Sequence, residues 1–347
     1  MPRYDPADLP GRFDDVEALE EFLSRPSAAL IDDMARLDGD ILVLGVGGKM
    51  GPTLARMARR AAPDKRVVGA ARFSEPGLRA RLEGQGVETI ACDLLDRAAV
   101  AALPKLANIV FMAGRKFGST GAEELTWAMN AWVPSVVAEA FPAARIVAFS
   151  TGNVYPFSPV GGPHPSETTT PGAASGEYGM SCLGRERLFQ YFSARDRTPG
   201  RILRLNYAIE MRYGVLWDVA SRVFAGQSIE LAMGHVNVIW QGDANAVALR
   251  ALLRCTTPTT PLNLSGLEVV SIRRLAEAFG AAFGRAPRFA GSEAETALLT
   301  DAREAARLFG PPSVPLERAI AWTADWVGRG MPNLAKPTHY DARDGRF

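Results

Sequence analysis

Ile41-Leu42-Val43-Leu44-Gly45-Val46-Gly47-Gly48-Lys49-Met50-Gly51-Pro52 joins a run of four apolar residues to a cluster of glycines and a proline. An unbroken apolar run is how a strand buried on both faces reads, because a strand with one wet face alternates. Pro52 has no N–H to lose in the first turn of a helix, so the spacing predicts a helix from Pro52 to about Ala62. Glycine suits the turn between them for three reasons: it bends tightly, lets backbone approach a pyrophosphate, and lets the helix pack close to the strand. The helix N-terminus then offers N–H groups and partial positive charge to phosphates. Gly45, Gly48, Lys49, Met50 and Gly51 are therefore candidate dinucleotide-binding residues.

Outward from this turn the rhythm repeats. Arg66–Ala71, Val87–Cys92, Asn108–Ala113 and Arg145–Phe149 are short apolar or β-branched runs separated by helical stretches such as Glu123–Glu139. Alternation of this kind requires crossover connections, so an α/β fold with a doubly wound parallel sheet, a Rossmann fold, is expected. Ligands in such sheets bind beyond the carboxyl ends of the strands. The second strand ends at Ala71-Arg72, where an acidic residue would hold the ribose of NAD. Arg72 there suits the 2′-phosphate of NADP, which tilts a reading of NAD(P) toward NADP.

Four segments follow from the pattern: a helical leader over 1–38, interrupted at Pro26; a dinucleotide-binding domain over 39–207; a smaller mixed α/β substrate-binding portion over 208–330; and a polar tail over 331–347, either disordered or laid over the surface. Helices are expected at Ile272–Phe283 and Leu316–Val327, and Phe157–Gly176 reads as a long loop. No internal repeat is present.

The composition excludes several functions. The 39 basic and 38 acidic residues are interspersed, which argues against nucleic acid and anionic membrane as partners. No apolar run approaches the roughly 20 residues of a membrane span, and Met1–Gly11 lacks the apolar core of a signal peptide, so a cytoplasmic protein is expected. Cys92, Cys182 and Cys255 are far apart, and His164, His235 and His339 are not at ligand spacing, so neither a disulfide framework nor a metal site is expected.

From about Ile41 to Val327 the chain resembles the extended short-chain dehydrogenase/reductases, of the NAD-dependent epimerase/dehydratase type. GxxGxxG at Gly45 to Gly51 is similar to the family's fingerprint. Asp93-Leu94 looks like the pair whose aspartate meets adenine, Ala113-Gly114 with Lys116 like the segment lining the cofactor after the fourth strand, and Asn130 like the asparagine of the next helix. Ser150-Thr151-Gly152-Asn153-Val154-Tyr155 resembles the stretch whose hydroxyl, here Thr151, polarises a substrate carbonyl. Tyr178 opens a similar Tyr-Gly-x-Ser segment, with Glu186 in register. The resemblance implies Thr151 and Tyr178 as the catalytic pair, with Tyr178 also touching the cofactor.

One position departs. The family's motif is Tyr-x-x-x-Lys, and Tyr178-Gly179-Met180-Ser181-Cys182 has cysteine in the lysine's place. Residues i and i+4 share a helix face, so residue 182 stands beside Tyr178. The family's lysine anchors the ribose and lowers the tyrosine pKa, whereas an unaided phenol titrates near 10 and is a poor base at neutrality. Of the five lysines, Lys49, Lys65, Lys105, Lys116 and Lys336, Lys116 alone is read as a replacement for the missing lysine beside the cofactor. Arg185 shares a face with Cys182 and is read as pointing to the core or to a partner. Cys182 is either a small buried filler or a nucleophile without a histidine to activate it; His164 and Glu167 are either acid/base groups or members of a solvated loop. Val238-Ile239-Trp240-Gln241-Gly242-Asp243 keeps only part of the family's V-D-D-V region, which leaves a smaller polyhydroxylated or carbonyl compound open as an alternative to a nucleotide sugar.

Two functions follow. The first is an NAD(P)-dependent oxidoreductase or epimerase/dehydratase acting by hydride transfer on a sugar-like hydroxyl or ketone. The second is a catalytically silent NAD(P)-binding redox sensor. The resemblance also implies a homodimer through Glu123–Glu139 and Tyr178–Phe192.

Overall fold

Strand β1 (Ile41–Leu44) is buried at every residue and sends Ile41 and Val43 into one apolar cluster and Leu42 and Leu44 into another. That two-sided burial is the physical content of the apolar run. In the computed structural model, which describes residues 8–172, 176–336 and 338–345, β1 lies inside a seven-stranded sheet. The other strands are β2 (Val67–Ala71), β3 (Glu88–Ala91), β4 (Asn108–Phe111), β5 (Arg145–Thr151), β6 (Gly200–Leu205) and β7 (Thr260–Leu264). Their order is β7-β6-β5-β4-β1-β2-β3, with every pairing parallel. The fold is the expected doubly wound Rossmann sheet. Strand order reverses between β1 and β4, and in register Leu44 stands opposite Ala70 on one side and Phe111 on the other. A crevice opens beyond that point.

The last strand, β7, comes from beyond residue 207, so the sheet draws on the chain on both sides of the expected boundary. The leader also serves both halves. Helix α1 (Val16–Leu23), capped by Asp15, packs Phe22 against Trp240 and Trp322, while α2 (Ala28–Arg36), capped by Ser27, buries Leu30 and Met34 on the sheet side. Arg56–Glu17 and Arg60–Glu21 ion pairs tie α1 to α3 (Gly51–Ala61).

Glu123–Glu139 is helical as expected, with one irregularity: Glu123–Trp127 passes through a π-turn at Ala128–Trp132 into Val133–Ala140. Pro134 is the reason, since it has no N–H to give to the Asn130 carbonyl one turn earlier. The 331–347 segment, over its described residues, is neither disordered nor merely laid on the surface. Thr338 and Tyr340 are buried, and the Thr338 N–H and hydroxyl both donate to the same Asp218 carboxylate oxygen. Asp341 pairs with Arg222 at 3.1 Å. One aromatic among polar neighbours gives no sequence period, yet the Tyr340 ring joins the C-terminal apolar cluster.

Candidate active site

The glycine turn is shaped by close approach. Gly45 has φ +84°, and a Cβ there would lie 2.7 Å from the Ala113 nitrogen at the end of β4; a Cβ on Gly51 would lie 2.2 Å from the Val46 carbonyl oxygen. Gly45 therefore lets β1 and β4 converge, and Gly51 lets α3 start against its own turn. The crevice they leave has two connected parts that share Gly45, Gly48, Met112, Ala113 and Gly114. A recess of about 220 Å³ is lined by Arg72, Asp93 and Leu94, with Phe73 and Glu75. A cleft of about 430 Å³ carries Lys49, Met50, Gly51, Lys116, Thr151 and Tyr178.

Asn130 is not at the surface of either part. It is fully buried behind the wall: its Oδ1 accepts from the Arg115 N–H and from Arg185 Nη2, both at 2.8 Å, and its Nδ2 donates to the Arg115 carbonyl and to Ser181 Oγ. Asn130 thus fixes the segment after β4 to the Gly176–Asp196 helix. It positions Gly114 and Lys116 and makes no wall of its own.

Thr151 ends β5, where its hydroxyl accepts from the Asn153 N–H at 3.2 Å. The Tyr178 phenol is hydrogen-bonded to Thr151 and to the Cys182 thiol. Burial pushes the phenol above its usual range, and the neighbouring thiol adds to this while the Arg185 guanidinium opposes it. Cys182 is buried against Val154 and Tyr155, and burial raises its pKa, so it remains a neutral thiol. That is the small buried filler, and no histidine lines the cleft to make it a nucleophile.

Positive charge reaches this corner from two sides. Lys116 Nζ lies 5.9 Å from the centre of the Tyr178 ring and donates to the Thr338 carbonyl at 3.2 Å. Burial lowers it to about 8. From within, Arg185 donates to the Phe149 carbonyl at 2.7 Å and to the Asn130 carbonyl at 3.3 Å, the acceptor that Pro134 released. A Cβ on Gly114 would meet Arg185 Nη2 at 2.4 Å, so glycine there admits the guanidinium to the cleft wall. The expectation that Arg185 points to the core or a partner omitted this: it is buried and also lines the cleft. Residues 178 and 185 lie two helical turns apart on one face, which was the available signal. Glu186 braces the corner by accepting from Ser150 Oγ at 2.6 Å and pairing with Arg204 at 2.6 Å, so β5, β6 and the helix are locked together.

His164 and Glu167 do not line the cleft. Glu167 accepts from the Asn263 N–H at 2.8 Å, and His164 approaches Ser158 at 3.4 Å. Lys336 and Thr338, by contrast, form part of its wall. Sequence reasoning missed them because no local pattern places a distant terminal segment. Among the described residues no group of three or more His, Cys, Asp or Glu is arranged to hold a metal ion, and no helix is long and apolar enough to cross a membrane.

Residues 41–209, from β1 to just beyond β6, match the model of the NAD dependent epimerase/dehydratase family. No curated protein matches in sequence. In fold, the chain is similar to the UDP-glucuronic acid 4-epimerase from Bacillus cereus, solved with UDP-glucuronic acid and NAD: TM-score 0.70, 18% identity, 84% of this chain and 99% of that one covered. The UDP-glucose 4-epimerase of Thermus thermophilus, solved with NAD, gives TM-score 0.68 and 20% identity, covering 82% of this chain and 98% of that one. The UDP-glucose 4-epimerase of Thermotoga maritima, solved with UDP-glucose, gives TM-score 0.69 and 15% identity, covering 84% and 99%. At these identities the likeness concerns the fold.

Proposed function

We propose that this protein is an epimerase/dehydratase family member that binds a nicotinamide dinucleotide along the crevice and acts by hydride transfer on a hydroxyl or ketone of a sugar-like substrate. The observation that carries the reading is the hydrogen-bonded Thr151–Tyr178 pair at one end of a cleft whose other end is the glycine turn. The NAD in the structures of the similar epimerases supports it. The residues fit the group: Gly45, Gly48 and Gly51 leave room for a pyrophosphate at the start of α3, and Asp93 and Leu94 line a recess suited to adenosine. When bound, the nicotinamide accepts or donates the hydride.

The chain's own residues do the rest. Thr151 and Tyr178 hydrogen-bond the substrate oxygen, and Tyr178 takes its proton as the neighbouring C–H gives up hydride, or returns it in the reverse step. Lys116 and Arg185 supply the positive charge for which the family uses a lysine four residues after the tyrosine. Arg72 favours the 2′-phosphate of NADP. Leu125, Trp127, Trp132, Met180 and Tyr191 are exposed on the two helical segments expected to pair, which supports a homodimer.

Fluorescence titration with NAD and NADP, followed by absorbance of the reduced nicotinamide with a panel of sugars, tests the proposal. Binding and turnover are expected, with light scattering giving twice the chain mass. Absence of binding to either dinucleotide overturns it, and binding without any conversion of substrate overturns its catalytic half.

A further inference from the structure

Among the described residues, five basic side chains, Lys49, Arg115, Lys116, Arg185 and Lys336, line the 430 Å³ cleft, and no aspartate or glutamate does. The α3 N-terminus and the glycine turn account for a pyrophosphate at one end. They do not account for Lys49 and Lys116, whose ammonium groups sit elsewhere. Lys49 leaves the turn and crosses to the C-terminal part, where Nζ donates to the Ala208 carbonyl at 3.4 Å and lies 3.4 Å from the centre of the Tyr213 ring. Lys116 sits by Tyr178. The carboxylates that act on this pair from behind the wall are already engaged: Glu210 accepts from Arg212 at 3.1 Å, and Asp218 accepts from the Thr338 N–H at 3.0 Å.

The fourth side of this space is the C-terminal segment. Thr338 is held by Asp218, Tyr340 is in the core, Asp341 pairs with Arg222, and Arg343 donates to the Thr296 carbonyl at 2.8 Å. A wall anchored at four points is a fixed boundary. The nicotinamide end of the cofactor and the substrate have to share the cleft of about 430 Å³ that Lys336 and Thr338 bound on this side, which favours a molecule of sugar size as substrate.

We infer that the substrate is a compact acid: a sugar-sized hydroxy or keto compound bearing one carboxylate or phosphate, which Lys49 and Lys116 grip while its reacting oxygen meets Thr151 and Tyr178. The inference rests on the function proposed above. Burial lowers Lys49 to about 7 and Lys116 to about 8; Glu210 and Asp218 oppose this at Lys49 while Lys116 and Arg212 reinforce it, and Asp218 opposes it at Lys116. An anion placed between the two ammonium groups favours their charged forms, so its binding takes up protons near pH 8 and weakens as pH rises through these values.

Isothermal titration of the NAD-saturated protein with gluconate, glucuronate, glucose 6-phosphate, glucose and UDP-glucose tests this. At pH 7 at least one of the acids is expected to bind roughly tenfold or more tightly than glucose, as for a hydrogen bond to a charged group. That margin shrinks at pH 9. K49Q and K116Q each cut the margin, whereas K49R and K116R, which keep charge and control for folding, restore most of it. A carboxylate winner and a phosphate winner both support the inference and identify the group. Acids no tighter than glucose, a margin untouched by K49Q and K116Q, or UDP-glucose as the tightest ligand would overturn it while leaving the hydride-transfer reading intact. Failure of NAD itself to bind overturns both.

Discussion

The two ends of the cleft are built by different means. At the glycine turn the chemistry is carried by backbone: the N–H groups at the start of α3, and the absence of Cβ atoms at Gly45 and Gly51 where the Ala113 nitrogen and the Val46 carbonyl stand at 2.7 and 2.2 Å from the Cβ positions. At the Tyr178 end it is carried by side chains from three distant stretches, Thr151 on β5, Tyr178 and Arg185 on one helix, and Lys116 after β4, the last held by the Thr338 carbonyl near the C-terminus. A backbone device is encoded within about ten residues. A charge constellation is encoded nowhere locally, and the same phenol can be aided by any cation that the fold brings near it.

Substitutions at the two ends separate these devices. Tyr178→Phe should give the largest effect, a fall in turnover on the order of 10² to 10⁴, with NAD affinity changed far less. Because burial holds the phenol above its usual range, wild-type oxidation should climb with pH from 7 to 9, and Tyr178→Phe should abolish that slope in a pH–rate profile. A steep pH dependence surviving in the variant would give the proton-transfer role to another group. Gly51→Ala should come next. Its Cβ overlaps the Val46 carbonyl, so urea unfolding should show a loss of about 1–3 kcal/mol together with much weaker NAD binding. Unchanged stability would mean that the turn relaxes, and that the contrast between a rigid and an assembled end is false. Arg72→Ala should be smallest, reducing NADP affinity relative to NAD by no more than about fivefold, as expected for an exposed ion pair. An unchanged ratio in paired titrations would remove the tilt toward NADP.

How much was legible follows the same division. The parallel sheet, the glycine turn and the Ile272–Phe283 helix were readable because each rests on a short-range pattern: two-sided burial, proline at a helix start, or helical periodicity. Thr151, Tyr178, Lys116 and the Asp93-Leu94 pair were placed by resemblance, and all of them line the crevice. Asn130 was placed with them but lies behind the wall, because its contacts depend on a π-turn that Pro134 imposes and on Arg185 from another helix. Lys336 and Thr338 were invisible, since nothing near them in sequence marks Asp218 as their anchor.

By itself, then, the sequence determined the sheet and its glycine turn, since side-chain period and backbone sterics act over a few residues. Only the tertiary structure decided what surrounds Tyr178. Electrostatic fields and burial depend on which distant segments share a volume, and here those segments are Lys116, Arg185 and the C-terminal stretch of chain that closes the cleft.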